Sequence, residues 1–188
     1  MKVAITGHSK GIGKALKDCF ESNGHVVLGF SRSNGYDIVS PQCRANIVAE
    51  LATCEIFINN AWAANAQQLM LAEACEAFMN TNKVIVNISS KLIYVDEQDI
   101  KDIAWYMQYK KDKLAGQQLT INNILSPNPN IMNVVAGLID TEMAAHLSGD
   151  RMDPKDVAEL IYFMYDNRHK VMVQDITISP FVNFSTEE

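Results

Sequence analysis

The stretch MKVAITGHSKGIG, residues 1–13, decides how the rest of the chain is read. Residues 2–6 are a short apolar run with strand character, and Gly7, Gly11 and Gly13 punctuate the turn after it. Residues 14–22 (KALKDCFES) are amphipathic with helical period, Leu16 and Phe20 facing inward. A strand, a glycine turn and a helix start present bare backbone N–H groups and a positive helix end to a pyrophosphate. The glycines serve the tight turn, the approach of backbone to phosphate and the packing of helix on strand. Their spacing is G-x-x-x-G-x-G rather than the commoner G-x-G-x-x-G. Because glycine turns also act as plain connectors, the meaning of this one depends on the elements beyond residue 22.

The pattern continues as an alternation. A second strand is expected over 25–30, a very short third over 36–38, and a helix over 43–52 with Ile47, Val48 and Leu51 inward. Further strands are expected over 55–59, 83–88, 131–135 and 175–179, with helices over 65–79, about 100–125 and 154–164. The last of these helices is capped by Asp153-Pro154, and the one before it is broken at Pro127 and Pro129. Several strands are unbroken apolar runs, which implies a parallel sheet covered on both faces. The expected fold is a doubly wound α/β (Rossmann) domain, 1–188, with a mostly or fully parallel sheet of about seven strands. Ligands of such folds sit at the carboxyl ends of the strands.

Bulk properties narrow the partners. In 188 residues, 48% hydrophobic and 20% charged, the net charge is −6, which argues against a nucleic-acid or anionic-membrane binder. No apolar run is long enough to span a bilayer. The start of the chain has no signal-peptide pattern, and the polar tail 185–188 is expected to fray. Cys19, Cys43, Cys54 and Cys75 lack C-x-x-C and histidine spacing, and the four histidines share none, so no metal site is expected. The thiols are read as reduced, and the protein as cytoplasmic.

By the fifth expected strand, the motifs taken in order resemble the short-chain dehydrogenase/reductase family over nearly the whole chain. TGHSKGIG (6–13) looks like that family's TGxxxGxG turn, NNA (59–61) its NNAG motif, and NISS (87–90) the end of its serine-bearing strand. AGLIDT (136–141) is similar to its PGxVxT loop, and DPKDVAELI (153–161) to the helix beyond it. The resemblance implies a nicotinamide cofactor held by Gly7, Ser9, Lys10, Gly11, Ile12 and Gly13. It adds Asp37 at the adenine, Asn60 and Ala61 along the cleft, and Ile139 and Thr141 at the nicotinamide amide. It further implies Ser90 as the hydroxyl that polarises a substrate oxygen and an asparagine, here Asn65, supporting a proton relay.

The chemistry needs a tyrosine with a lysine one helical turn on, since a nearby cation favours the phenolate. Two such pairs overlap: Tyr109/Lys113 and Tyr106/Lys110. The small residues after Lys113 (Leu114, Ala115, Gly116) favour the first, because choosing Lys110 buries charged residues instead. The distances to Ser90 and Gly137 favour the second. The sequence leaves both open, with Tyr109, Lys113, Ser90 and Asn65 the preferred catalytic set.

The cofactor preferred is NADP(H). The end of the second strand carries Ser31 and Arg32 instead of a carboxylate that would bind ribose hydroxyls and repel a 2′-phosphate. Arg32 can fork onto that phosphate, and Lys10 adds charge. The resulting expectation is an NADP(H)-dependent oxidoreductase acting on a small-molecule carbonyl or alcohol, with a homodimer through helices 65–79 and 100–125. Trp62 in place of the NNAG glycine and the long Ser90–Tyr109 interval motivate the alternative, a non-catalytic NADP(H)-binding sensor or scaffold. Sugar-nucleotide epimerisation is disfavoured, as the larger substrate domain is lacking.

Overall fold

A computed structural model describes residues 1–96, 104–125 and 128–181, the side chains of 124 and 125 excepted. In chain order the elements are β1 (Lys2–Thr6), α1 (Gly11–Ser22), β2 (Val26–Phe30), α2 (Pro41–Leu51), β3 (Ile56–Asn59), α3 (Gln67–Phe78), β4 (Val84–Ser90), α4 (Ala104–Leu125), β5 (Asn130–Ala136), α5 (Pro154–Asp166) and β6 (Asp175–Ile178). The strands form one sheet in the order β2-β1-β3-β4-β5-β6, every pairing parallel.

The alternation of side chains along each strand sorts the core into two layers. Val3, Ile5, Ile56, Ile58, Val86 and Val134 pack with Leu16, Phe20, Ala158 and Ile161 of α1 and α5. Ala4, Phe57, Ile85 and Ile131 face the other way, onto Ile47, Leu51, Met70, Leu71 and Phe78 of α2 and α3. Both faces being covered, the strands have no solvated side to carry polar residues, and apolar runs result.

The sheet has six strands where about seven are expected. Residues 36–38 form no strand: Ile38 turns into the core, and Arg44 Nη1 donates to the carbonyls of Ile38 and Val39. Buried Arg44, itself paired with Glu73, thus ties the loop down to α2, and β2 becomes the sheet edge. The start of the helix expected from about 100, its break at Pro127 and the polar tail lie outside the described residues. Among the described residues, no helix is long and apolar enough to cross a membrane.

Candidate active site

The glycine turn is built from both sides. Gly7 N–H donates to Phe30 O at 2.7 Å, fastening the turn to the end of β2. Asn60 Nδ2 donates to Thr6 O at 3.0 Å, and Thr6 Oγ1 accepts from the N–H groups of Asn60 and Ala61. Gly13 has no room for a side chain: a Cβ there would stand 2.1 Å from Gly7 O. Gly7 and Gly11 have φ of +72° and +51°, where glycine is favoured. The first turn of α1 has no side-chain cap and no acidic residue, and Lys14 N–H is the first to close back, onto Lys10 O. The N–H groups of Gly11, Ile12 and Gly13 therefore stand at an open positive helix end, as a pyrophosphate requires. Thr141 reaches over this turn, its Cγ2 lying 3.1 Å from where a Gly11 Cβ would be.

The remaining cofactor candidates are placed less uniformly. Ser9 is exposed in the turn. Lys10 pairs with Glu142 at 2.9 Å, both side chains being 73% and 80% exposed, so this contact is weak and readily exchanged. The Ser31 hydroxyl is turned inward onto Ser33 Oγ (2.7 Å) and Asn34 Oδ1, whereas Arg32 is exposed and in no ion pair among the described residues. Asp37 does not follow a strand, and its carboxylate accepts from Val39 N–H at 3.0 Å. Ile139 is buried in the α1/α5 layer, with its backbone bridged to Met152.

The catalytic candidates separate. Tyr109 lies beside Ser90: burial pushes the phenol's pKa up and the Ser90 hydroxyl pulls it partly back. Lys113 is buried, its ammonium donating to Gln67 Oε1 and to Ile88 O, each at 2.7 Å, and standing 5.1 Å from the centre of the Tyr109 ring. Desolvation pushes Lys113 down to about 7, against the opposing charge of Asp112. The second pair meets nothing of this kind. Tyr106 binds His146 Nε2 at 2.6 Å, and Lys110 donates to Val95 O.

Asn65 is not brought to Lys113. It sits ahead of α3 with φ +58°, its N–H on Asp112 Oδ2 and its Oδ1 accepting from Gln108. The amide beside Lys113 is that of Gln67, which also donates to Asn59 O and Ile88 O. From there a row of amides crosses the sheet on the α3/α4 side. Asn59 Nδ2 donates to Asn87 Oδ1 (3.0 Å) and Asn87 Nδ2 to Asn133 Oδ1 (2.8 Å), and Asn133 Nδ2 reaches Gln117 Oε1 (2.7 Å). These asparagines are cross-strand partners in register, which lets each satisfy the next.

Gln67, Asp112 and Asn133 escape a motif search. Their signal is a polar residue on a face that periodicity assigns to the core. Asp112 accepts from Trp62 Nε1 (3.1 Å), Asn65 N–H (3.0 Å) and Gln108 Nε2 (2.7 Å), and so fixes the Trp62 ring edge-on against Tyr109 and Trp105.

Neither a family model nor a curated protein sequence matches the chain. Solved structures do. The chain is similar to a 3-alpha-hydroxysteroid dehydrogenase from Pseudomonas sp. B-0831 complexed with NADH, at 19% identity and TM-score 0.76, with 95% of each chain covered. It is similar to a short-chain dehydrogenase from Burkholderia cenocepacia J2315 in complex with NADP at 16% identity and TM-score 0.73, covering 94% of this chain and 87% of that one. A 3-ketoacyl-(acyl-carrier-protein) reductase from Brucella melitensis complexed with NADH matches at 17% identity and TM-score 0.72, with 95% of each chain covered. Over nearly its whole length, then, the chain has the Rossmann fold of the short-chain dehydrogenases/reductases.

Proposed function

We propose that the protein is an NADP(H)-dependent oxidoreductase that interconverts a carbonyl and an alcohol on a small molecule. The observation that carries this reading is the convergence of Ser90, Tyr109 and Lys113 at the end of β4, with Lys113 held by Gln67 and Ile88 O. The nicotinamide, when bound, gives or takes the hydride; the chain must provide the proton and the polarisation. Tyr109 Oη carries the proton, and burial keeps the phenol protonated at neutral pH, the form that serves reduction of a carbonyl. Ser90 Oγ donates to the same substrate oxygen. Lys113 holds its ammonium one turn along the helix, where it favours the charge that develops on the phenol.

The dinucleotide would be held at the open end of α1, the pyrophosphate by Gly11, Ile12 and Gly13 N–H and the carboxamide by Thr141. Preference for the 2′-phosphate rests on Arg32 and on the absence of a carboxylate at the end of β2. Lys10 joins it once its exposed pair with Glu142 opens. The other residues named for the cofactor, Ser9, Ser31, Asp37, Asn60, Ala61 and Ile139, would line or support this cleft. The test is NADPH consumption over a carbonyl panel with wild type, Tyr109→Phe and Tyr106→Phe, beside thermal shifts with NADPH and NADH. Full activity in Tyr109→Phe defeats the assignment, and an equal or larger shift with NADH defeats the cofactor preference.

A second reading, a binding-only sensor, is favoured by one feature. Two tryptophans enclose Tyr109, Trp62 edge-on at 5.1 Å and Trp105 stacked at 5.3 Å. NADPH binding without turnover of any carbonyl would favour it.

A further inference from the structure

Ser90, Ala136 and Ile178 are in-register partners on three adjacent strands. The residues one step beyond them, Lys91, Gly137 and Ser179, therefore stand side by side at the carboxyl ends of β4, β5 and β6. With Leu138, Asp150 and Pro180 they line a cleft of about 330 Å³, and Lys91 follows Ser90 directly in the chain. That volume lies in the range of small-ligand sites.

The wall of this cleft carries a charge that has no acidic partner among the described residues. Lys91 is exposed, lies across Gly137 with its Cδ 3.3 Å from where a Cβ would be, and donates to the neutral Ser179 Oγ at 2.8 Å. Among the described residues no carboxylate lies within ion-pair distance of it, Asp150 of the same cleft included. A side chain on Gly137 would crowd the Lys91 stem and the Ile178 carbonyl, so the glycine keeps the ammonium low over the strand ends.

We infer that this cleft takes an acidic carbonyl substrate, an oxo acid or the matching hydroxy acid, with the carboxylate on Lys91 and Ser179 and the reacting oxygen on Ser90 and Tyr109. A carboxylate there gains a charge-assisted hydrogen bond from Lys91 and a second donor from Ser179. Asp150 makes a second acid group unfavourable in the same cleft, which selects monocarboxylates over diacids. The inference rests on the oxidoreductase reading for the role of Ser90, whereas the anion site itself stands on the cleft alone.

The experiment measures binding and turnover separately. Pyruvate, acetoacetate and levulinate, with their methyl esters, are titrated calorimetrically into the full chain with NADP⁺ present, and assayed for NADPH consumption. Wild type is compared with Lys91→Met and Lys91→Arg. At least one acid is expected to bind about tenfold more tightly than its ester, Lys91→Met to abolish that preference and Lys91→Arg to keep it. Esters binding as well as acids throughout, or a preference that survives Lys91→Met, overturns the inference. Acids that bind through Lys91 without turnover leave the site standing and defeat the oxidoreductase reading. Turnover with no preference for acids does the reverse. Lys91 is exposed, and an unchanged melting midpoint confirms that the variants fold.

Discussion

Helix α4 presents the same Tyr-x-x-x-Lys pattern twice, three residues apart, and the two copies meet different surroundings. The inner copy, Tyr109/Lys113, faces the end of β4: the phenol meets Ser90 and the ammonium is received by Gln67 Oε1 and Ile88 O. The outer copy turns to the rim, where Tyr106 meets His146 and Lys110 meets Val95 O. Burial alone does not separate them, for Lys110 is 8% and Lys113 5% exposed. What separates them is the strand end each one reaches. A motif on a helix acquires its chemistry from the rotation that brings it to a strand terminus, and three residues along a 3.6-residue helix is enough to lose it.

The largest effect should be the one that breaks this contrast. Tyr109→Phe is expected to lower kcat by roughly 10²–10⁴-fold, the usual worth of a positioned proton donor, while Tyr106→Phe changes it less than about twofold. Steady-state NADPH consumption checks both. The reverse outcome would move the site to the outer copy.

Second in size is the removal of Asp112, which lies between the two lysines on the inner side. Its carboxylate receives three donors, and Asp112→Ala leaves the Trp62 indole and the Asn65 N–H unpaired and the Gln108 amide with Asn65 Oδ1 alone. The expected loss is about 3 kcal/mol, or roughly 6–12 °C in melting midpoint for a chain of this size. Asp112→Asn should recover part of it. A midpoint within about 1 °C of wild type would mean that Trp62 is held by packing alone.

Lys113 predicts a pH signature in the stability of the fold. Burial lowers its folded value to about 7 from the usual 10.5. Between those values the unfolded chain binds a proton that the folded chain has released, so stability rises with pH across the window and this contribution is flat below it. The slope from one group is at most about 1.4 kcal/mol per pH unit. Cys75, raised to about 11 from 9.0, acts with the opposite sign only above pH 9, which leaves pH 7–9 as the clean interval. Chemical denaturation without cofactor should show stability rising there in wild type, and the rise gone in Lys113→Met.

Much of this arrangement is legible in the sequence, and the parts that are not share a cause. The strand-turn-helix opening, the parallel sheet and the Tyr-x-x-x-Lys spacing rest on local patterns, such as apolar runs, glycines at fixed offsets and one helical turn between two side chains, whereas Ser90 follows from the family resemblance of NISS. The seventh strand fails because the 36–38 stretch is decided by Arg44 and Glu73, and that pairing joins residues 29 positions apart. The Lys110/Lys113 ambiguity depends on helix rotation against β4, which periodicity leaves undetermined when both faces carry apolar and charged residues. Asn133 is unreadable alone, because its role exists only once Asn59 and Asn87 stand beside it in register.

Gln67 sharpens the comparison further, since it gives the inner lysine an acceptor that the outer one does not have. Gln67→Leu removes the acceptor of Lys113 at Oε1 and the donor to Asn59 O and Ile88 O. If Lys113 serves the proposed reaction, it should lower kcat about tenfold, one charge-assisted hydrogen bond to that lysine being worth about that. Gln67→Glu, which keeps an acceptor there, should retain more activity than Gln67→Leu. Equal losses in the two would mean that Gln67 acts through packing rather than through Lys113.

The smallest effect is expected at Asn65, and it decides which amide serves the lysine. Asn65 sits at φ +58°, a conformation that asparagine and glycine accept and alanine resists by about 1–2 kcal/mol. Its backbone N–H, not its side chain, makes the contact to Asp112, and its Oδ1 accepts from Gln108. Asn65→Gly keeps the backbone geometry and the N–H while deleting the amide. It should leave both kcat and the melting midpoint nearly unchanged, the stability cost being a few tenths of a kcal/mol. Asn65→Ala keeps the N–H but strains the turn, so its midpoint should fall by roughly 2–8 °C at unchanged kcat. A tenfold loss of kcat in Asn65→Gly at an unchanged midpoint would return the relay to Asn65. Loss confined to Gln67→Leu places the amide that steadies Lys113 at the first residue of α3, beside the carbonyl of Ile88 and the start of the row of asparagines.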